Sequence, residues 1–136
     1  ADAIADYVDR HPDTSKAFAS LGLRRYLSAL HYAKVAGGNS SSGIIEVPSF
    51  GIPSLNIGDR QKGRLASESV VNCGTGKDDI LKGLRLCLSP EMRRRAKNAD
   101  NPYAKDGTAS LILDRLKHAD LAALRTKHFY DIPVKG

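Results

Sequence analysis

Apolar positions along this chain come in short runs whose period keeps changing. Ile4, Tyr7 and Val8 recur at helical spacing, which predicts a helix from Asp2 to Arg10. "HPDTSK" reads as a turn, and "KAFAS", Lys16 to Ser20, as a short strand. Leu23, Tyr26, Leu27 and Leu30 return to the helical period, so a helix is expected from Leu23 to Lys34 with those four on one face. "VAGGN" reads as a short strand ending in glycines, and Ile44 to Phe50 as a short helix that Gly51 ends. "PSLNIG" is an apolar run of strand length after Pro53, and Ser69 to Asn72 is another. Between them "GDRQKGR" is a polar, basic loop. Helices are predicted from Asp78 to Leu88 and from Pro90 to Lys97, with "NADNPYAKDG" as the loop that follows. A long last helix is expected from Thr108 to about Lys127, N-capped by Gly107 or Thr108.

Alternation of helices with short apolar strands argues for an α/β fold, a Rossmann-like parallel sheet with helices on its faces. Ligands of such sheets bind outside the carboxyl ends of the strands. Asn39 to Gly43 follows one predicted strand and "GDRQKGR" follows the next, so both loops should face one crevice. A doubly wound domain normally begins with a strand, whereas this chain opens with a helix. That helix is either an accessory or a sign that the chain is a piece of something longer.

A chain of 136 residues suits about one domain. Its net charge of +6 admits nucleic acid, anionic lipid or a phosphorylated ligand. The Arg93, Arg94, Arg95 run in "EMRRRAK" reads first as a solvated helix face. No aromatic residues interleave with it, which weighs against single-stranded nucleic acid. Cys73 and Cys87 lie far apart, outside any CxxC motif, and read as small apolar residues. The histidines, His11, His31, His118 and His128, are scattered, so no metal site and no cofactor are expected. The chain has no apolar run of about 18 residues and its acidic start lacks a signal-peptide core. No membrane partner and a cytoplasmic location are therefore expected.

Ser40, Ser41, Ser42 and Gly43 open a predicted helix, where free backbone N–H groups, hydroxyls and an approachable glycine suit an anion such as phosphate. They fit neither a Walker A loop nor a G-x-S-x-G elbow. A plain serine N-cap is the competing explanation. Glu46 falls in the predicted first turn and could accept from both hydroxyls of a vicinal diol, or merely complement the helix dipole. Arg60, Lys62 and Arg64 bring charge that an arginine could use to grip a diphosphate, although a solvated loop explains them as well. Tyr26, on an apolar face, reads first as a core residue. Together the loops suggest a nucleoside diphosphate.

The stretch "GNSSSGIIEVPSFGIPSLNIGDRQKGR", Gly38 to Arg64, resembles the signature of the UDP-N-acetylglucosamine 2-epimerases. It is most similar to the hydrolysing branch that feeds sialic-acid-like sugar synthesis. "FASLGLRRYLSAL", "NPYAKDGTAS" and "KHFYDI" extend the resemblance over nearly the whole chain. The resemblance implies a glycosyltransferase-B-like fold, of which residues 1–136 would be an incomplete C-terminal, UDP-binding domain lacking its first strands. It implies that Ser40 and Ser41, backed by Gly43, hold the diphosphate, that Arg64 pairs with it, and that Glu46 binds the ribose. Tyr26 matches an aromatic residue that stacks on uracil, and Arg60 and Gln61 match the family's Arg-Gln pair. The implied reaction removes the proton at C2 of the sugar, expels UDP to leave a glycal, and adds water. No catalytic residue is expected here, since the acid and base groups belong to family segments upstream of this one. The expected partners are UDP or a UDP-N-acetylhexosamine, and an N-terminal domain or another copy, with a homo-oligomer favoured by unpaired strand edges. A stand-alone nucleotide-sugar-binding module without catalysis is the alternative. Nucleic-acid binding has only the net charge behind it.

Overall fold

In a computed structural model, which describes residues 2–123, three of the apolar runs pair as strands. They are β1 (Ala36–Gly38), β2 (Ser54–Ile57) and β3 (Val70–Cys73), in the order β1-β2-β3. Both pairings are parallel, with Ala36 opposite Ser54 and Ser54 opposite Val70. The helices are α1 (Asp2–Arg10), α2 (Gly22–Leu30), α3 (Ser42–Ile45), α4 (Lys77–Leu88), α5 (Pro90–Asn98) and α6 (Thr108–Lys117). The chain divides into two units, Ala1–Ala104 and Lys105–Gly136, and the sheet lies in the first.

β2 is central and buried along most of its length. Its neighbouring residues Ser54 and Leu55 point to opposite faces, as strand geometry requires. α3 closes on one face and α4 on the other, each through a glycine. A Cβ on Gly43 would lie 2.8 Å from Ser54 Oγ, and one on Gly83 would lie 2.5 Å from Leu55 Cδ1. Only residues without side chains allow both helices this approach. Around β2 the core gathers Leu30, Ile44, Val47, Leu55, Cys87, Met92 and Ala96. Cys87 is fully buried, as an apolar-type cysteine should be. Burial pushes its thiol above the ordinary range, and the nearby Cys73 adds to the effect.

Several elements differ from expectation. Lys16 to Ser20 forms no strand: Phe18 is 66% exposed, and nothing buries the run as a sheet would. α2 stops at Leu30 rather than Lys34, and Leu23 points outward at 69% exposure. The predicted helix from Ile44 to Phe50 is two pieces, α3 and a 3₁₀ turn at Val47–Phe50. Pro48 explains the break, because it has no N–H to continue an α-helical ladder. Gly51 ends the turn in the left-handed region, φ 64, as expected of a terminating glycine. β3 lies one residue later than Ser69 to Asn72. Gly107, φ 72, precedes α6 and is its N-cap. α6 ends at Lys117, well before Lys127. Asp120 accepts from the N–H groups of Ala122 and Ala123, an alternative to the helical ladder that starts a fresh turn. Lys127, His128 and the "KHFYDI" segment lie outside the described residues.

Candidate functional site

The carboxyl ends of β1 and β2 lead into the serine turn and the basic loop. A single hydrogen bond joins them: Gln61 Nε2 donates to the Asn39 carbonyl at 2.9 Å. Gln61 is 5% exposed, while Asn39 is exposed, so the clasp is partly buried. The two loops are therefore neighbours at the carboxyl end of the sheet, although no single recess is lined by both.

Within the turn most backbone donors are already used. Gly43 N–H bonds the Ser40 carbonyl, and those of Ile44 and Ile45 bond the Ser41 carbonyl. Ser42 N–H donates to Ser40 Oγ at 3.3 Å. Among the described residues nothing accepts from the N–H groups of Ser40 and Ser41. Ser41 is the N-cap residue but its side chain makes no capping bond; Ser40 Oγ instead takes the first N–H of α3, so one of the serines does cap-like work. Gly43 has a packing reason of its own in its contact with Ser54. The Ser42 hydroxyl is 2.7 Å from Tyr26 Oη, which ties α2 to the turn. Tyr26 is half-buried and lines a small recess of about 50 Å³ with Gly37, Gly38, Ser40 and Gly43.

Glu46 is not in a first turn. It is the C-cap of α3, where the dipole disfavours a carboxylate, and the N-cap of the four-residue 3₁₀ turn, to which its side chain makes no capping bond. Its Oε2 is buried and meets no donor among the described residues. A buried carboxylate oxygen left in that state is costly, and Asn56 Oδ1 and Gln61 Oε1 are left in the same state.

The basic loop bounds a larger cavity of about 410 Å³ at the ends of β2 and β3. Lys62, Arg64, Gln61, Asp59, Asn56 and Asn72 line it. Arg60, Lys62 and Arg64 are exposed, and none has a carboxylate partner among the described residues. Arg60, Ser41 and Glu46 line neither recess. The expected site is thus split between a tyrosine-lined recess and a cationic cavity, with the Gln61 clasp between them.

Two polar features escape a reading based on charge and motif. Asn56 and Asn72 sit opposite one another on β2 and β3, and Asn56 Nδ2 donates to Asn72 Oδ1 at 2.8 Å. The repeated Asn-x-Gly at the ends of these strands, "NIG" and "NCG", is the signal that could have found them. Asn101 Nδ2 donates to the Ile45 carbonyl and to Ser49 Oγ, at 2.8 and 2.7 Å. Tyr103 Oη donates to the Leu65 carbonyl at 2.9 Å. The "NPY" loop is thereby fastened to the α3–3₁₀ segment and to Leu65, just after the basic loop. No group of three or more potential metal ligands exists among the described residues. Among them no helix is long and apolar enough to cross a membrane.

Comparison with known proteins bears on this geometry. A solved structure named for UDP-N-acetylglucosamine 2-epimerase, from Listeria monocytogenes, superposes on 98% of the chain with a TM-score of 0.69. The chain covers 37% of that structure at 19% identity, so the likeness establishes the fold. The polysialic acid biosynthesis protein P7 of Escherichia coli is 37% identical over 79% of the chain and 28% of its own length. The hydrolysing GDP/UDP-N,N'-diacetylbacillosamine 2-epimerase of Campylobacter jejuni is 35% identical over 95% of the chain. The chain spans a third or less of the length of these curated relatives. The family model described as UDP-N-acetylglucosamine 2-epimerase matches residues 1–117, and the chain belongs to that family.

Proposed function

We propose that this chain is the UDP-binding part of a hydrolysing UDP-N-acetylglucosamine 2-epimerase, a protein that releases UDP and N-acetylmannosamine or a related sugar. The observation that carries the proposal is the part-buried Gln61–Asn39 clasp, which holds a serine turn and an arginine loop side by side at the strand ends. The diphosphate spans the gap between them. It takes the two unused N–H groups and the hydroxyls of Ser40 and Ser41 on one side and Arg64 on the other. The uracil stacks on Tyr26 at its recess, and the ribose hydroxyls donate to the Glu46 carboxylate. Gly43 brings α3 onto β2 and so sets the height of the serine turn. Gln61 is a positioning residue, and Arg60 reinforces the field of the loop.

In the reaction these groups stabilise the negative charge that builds on departing UDP. Such stabilisation needs donors oriented before reaction; the Ser40 and Ser41 N–H groups are fixed by the turn, and Arg64 is exposed and free to close on the diphosphate. Proton removal at C2 and water addition fall to groups outside this chain, from an N-terminal domain or a partner copy. The chain by itself therefore binds UDP weakly and does not turn over a UDP-sugar. Calorimetric titration with UDP tests the binding site. Arg64→Gln should weaken UDP by about tenfold, the worth of a lost charge-assisted contact. UDP binding that ignores both Arg64→Gln and Ser41→Ala, or full-rate turnover by the 136-residue chain, would refute the proposal.

A further inference from the structure

The triple arginine of "EMRRRAK" is exposed throughout, as a solvated face should be, but its three side chains have different neighbours. Arg95 pairs with Glu68 at 3.2 Å. Arg93 and Arg94 turn instead toward a groove of about 390 Å³, which Lys97 and Lys34 also line. The groove lies at the amino end of the sheet. Lys34 precedes β1 and Pro53 precedes β2, whereas the serine turn and the basic loop follow those strands. It is therefore at the other end of the sheet from the UDP crevice.

We propose that this groove is a second anion site, for a small ligand carrying two or more phosphate charges. The first reason is charge. The groove is lined by Lys34, Arg93, Arg94 and Lys97 and by no carboxylate. None of the four has a salt-bridge partner among the described residues. Arg93 and Lys97 are four residues apart on α5, a like-charge spacing that repels when no anion lies between. The second reason is construction. Met92 and Ala96 anchor α5 in the core, which presents Arg93, Arg94 and Lys97 along the groove. The opposite wall is the Gly51–Pro53 turn. Gly51 is held at φ 64, and a Cβ there would come within 3.4 Å of Lys97 Cα. Backbone thus meets backbone at the groove floor, and the cations stand on a fixed frame. The third reason is size. This volume falls in the range of small-molecule pockets, and Ile52 and Pro53 offer an apolar floor beneath the charges. Two arginines can each present paired donors to phosphate oxygens, which a single exposed lysine cannot do.

The test is a titration of the 136-residue chain with inorganic pyrophosphate at low ionic strength, followed by backbone-amide NMR and calorimetry. Three proteins are compared: the unchanged chain, Arg94→Gln with Lys97→Gln, and Arg64→Gln. Amide shifts around Lys34, Gly51 and Lys97 are expected in the unchanged chain and in Arg64→Gln. They should weaken about tenfold in the double variant, since two exposed charges are lost. All four cations are exposed, so the thermal midpoints should match and unfolding cannot account for the loss. Shifts confined to the serine turn and the basic loop would overturn the proposal, as would groove shifts that persist in the double variant. Vesicles of phosphatidylcholine with and without phosphatidylserine separate the phosphate sources. Sedimentation with the anionic vesicles that needs Arg94 and Lys97, with no pyrophosphate shift at the groove, would replace the small ligand by a lipid surface and refute the proposal. The groove event does not depend on UDP binding in the crevice, so either site can fail alone.

Discussion

Replacing Gly43 by alanine tests how the serine turn is seated. The added Cβ would lie 2.8 Å from Ser54 Oγ, well short of the 3.4 Å at which ordinary contact begins. Ser54 is 1% exposed on the central strand, so its hydroxyl has little room to retreat. Overpacking of this kind costs about 1–3 kcal/mol. Alanine returns up to ~1 kcal/mol of helix propensity over glycine, but α3 is a single turn and gains only part of it. The clash should win, leaving a net loss of about 1–2 kcal/mol. For a chain of this length that corresponds to a fall in Tm of roughly 3–8 °C. Urea unfolding followed by circular dichroism would measure it, with an unchanged slope showing that the unfolded state is unaltered. Adding Ser54→Ala removes the struck atom, so the double variant should recover about 1 kcal/mol of coupling. UDP affinity should fall with Gly43→Ala by more than stability explains, because α3 carries Ser42 and follows Ser40 and Ser41 directly. A Gly43→Ala protein as stable as its parent, or no recovery with Ser54→Ala, would show that the close approach is not what seats the turn.

Three other outcomes are expected. Gln61→Ala leaves the Asn39 carbonyl without its donor and empties a buried site, so it should cost about 1–3 kcal/mol in urea unfolding and speed amide exchange in both loops. Glu46→Gln should weaken UDP by about tenfold yet leave inorganic pyrophosphate unchanged in the crevice, because only UDP brings ribose hydroxyls to that carboxylate; equal loss for both ligands would place Glu46 elsewhere. Cys73, half-buried, should alkylate with iodoacetamide well before Cys87, which is fully buried with its thiol raised by desolvation and then by Cys73. The folded Cys87 keeps its proton at pH values where the unfolded thiol has lost it. The resulting stability is full below the ordinary thiol pKa and is lost as pH rises through the raised one, so urea midpoints should fall on the alkaline side and Cys87→Ala should flatten that slope.

The parallel sheet and the adjacency of the two loops were legible because each rests on local pattern. Apolar runs of strand length alternate with helices, and loops that follow successive parallel strands must emerge on one side. "KAFAS" misled for the same reason. Its pattern suits a strand, but no neighbouring strand buries Phe18, and β-propensity describes a fit to a half-buried surface more than a backbone preference. The place of Glu46 was hidden by one residue, since Pro48 splits the expected helix and turns a first-turn glutamate into a cap between two short segments.

Gly43 and Gly51 show where local pattern stops being informative. Each could be read as a permissive turn residue. Gly51 does adopt the left-handed conformation that such a reading expects, but Gly43 does not. Its lack of a side chain matters because β2 lies immediately behind it, a fact set by strand order and not by its neighbours in sequence. The arginine run has the same lesson in charge. Three adjacent arginines look equivalent along the chain, yet helical geometry sends Arg95 to Glu68 and the other two to the groove beside Pro53. Adjacent residues on a helix face different surroundings by about 100° each. A run of like charge on a helix is therefore better treated as several separate electrostatic environments, and here the two unpaired arginines are the ones placed for an anion.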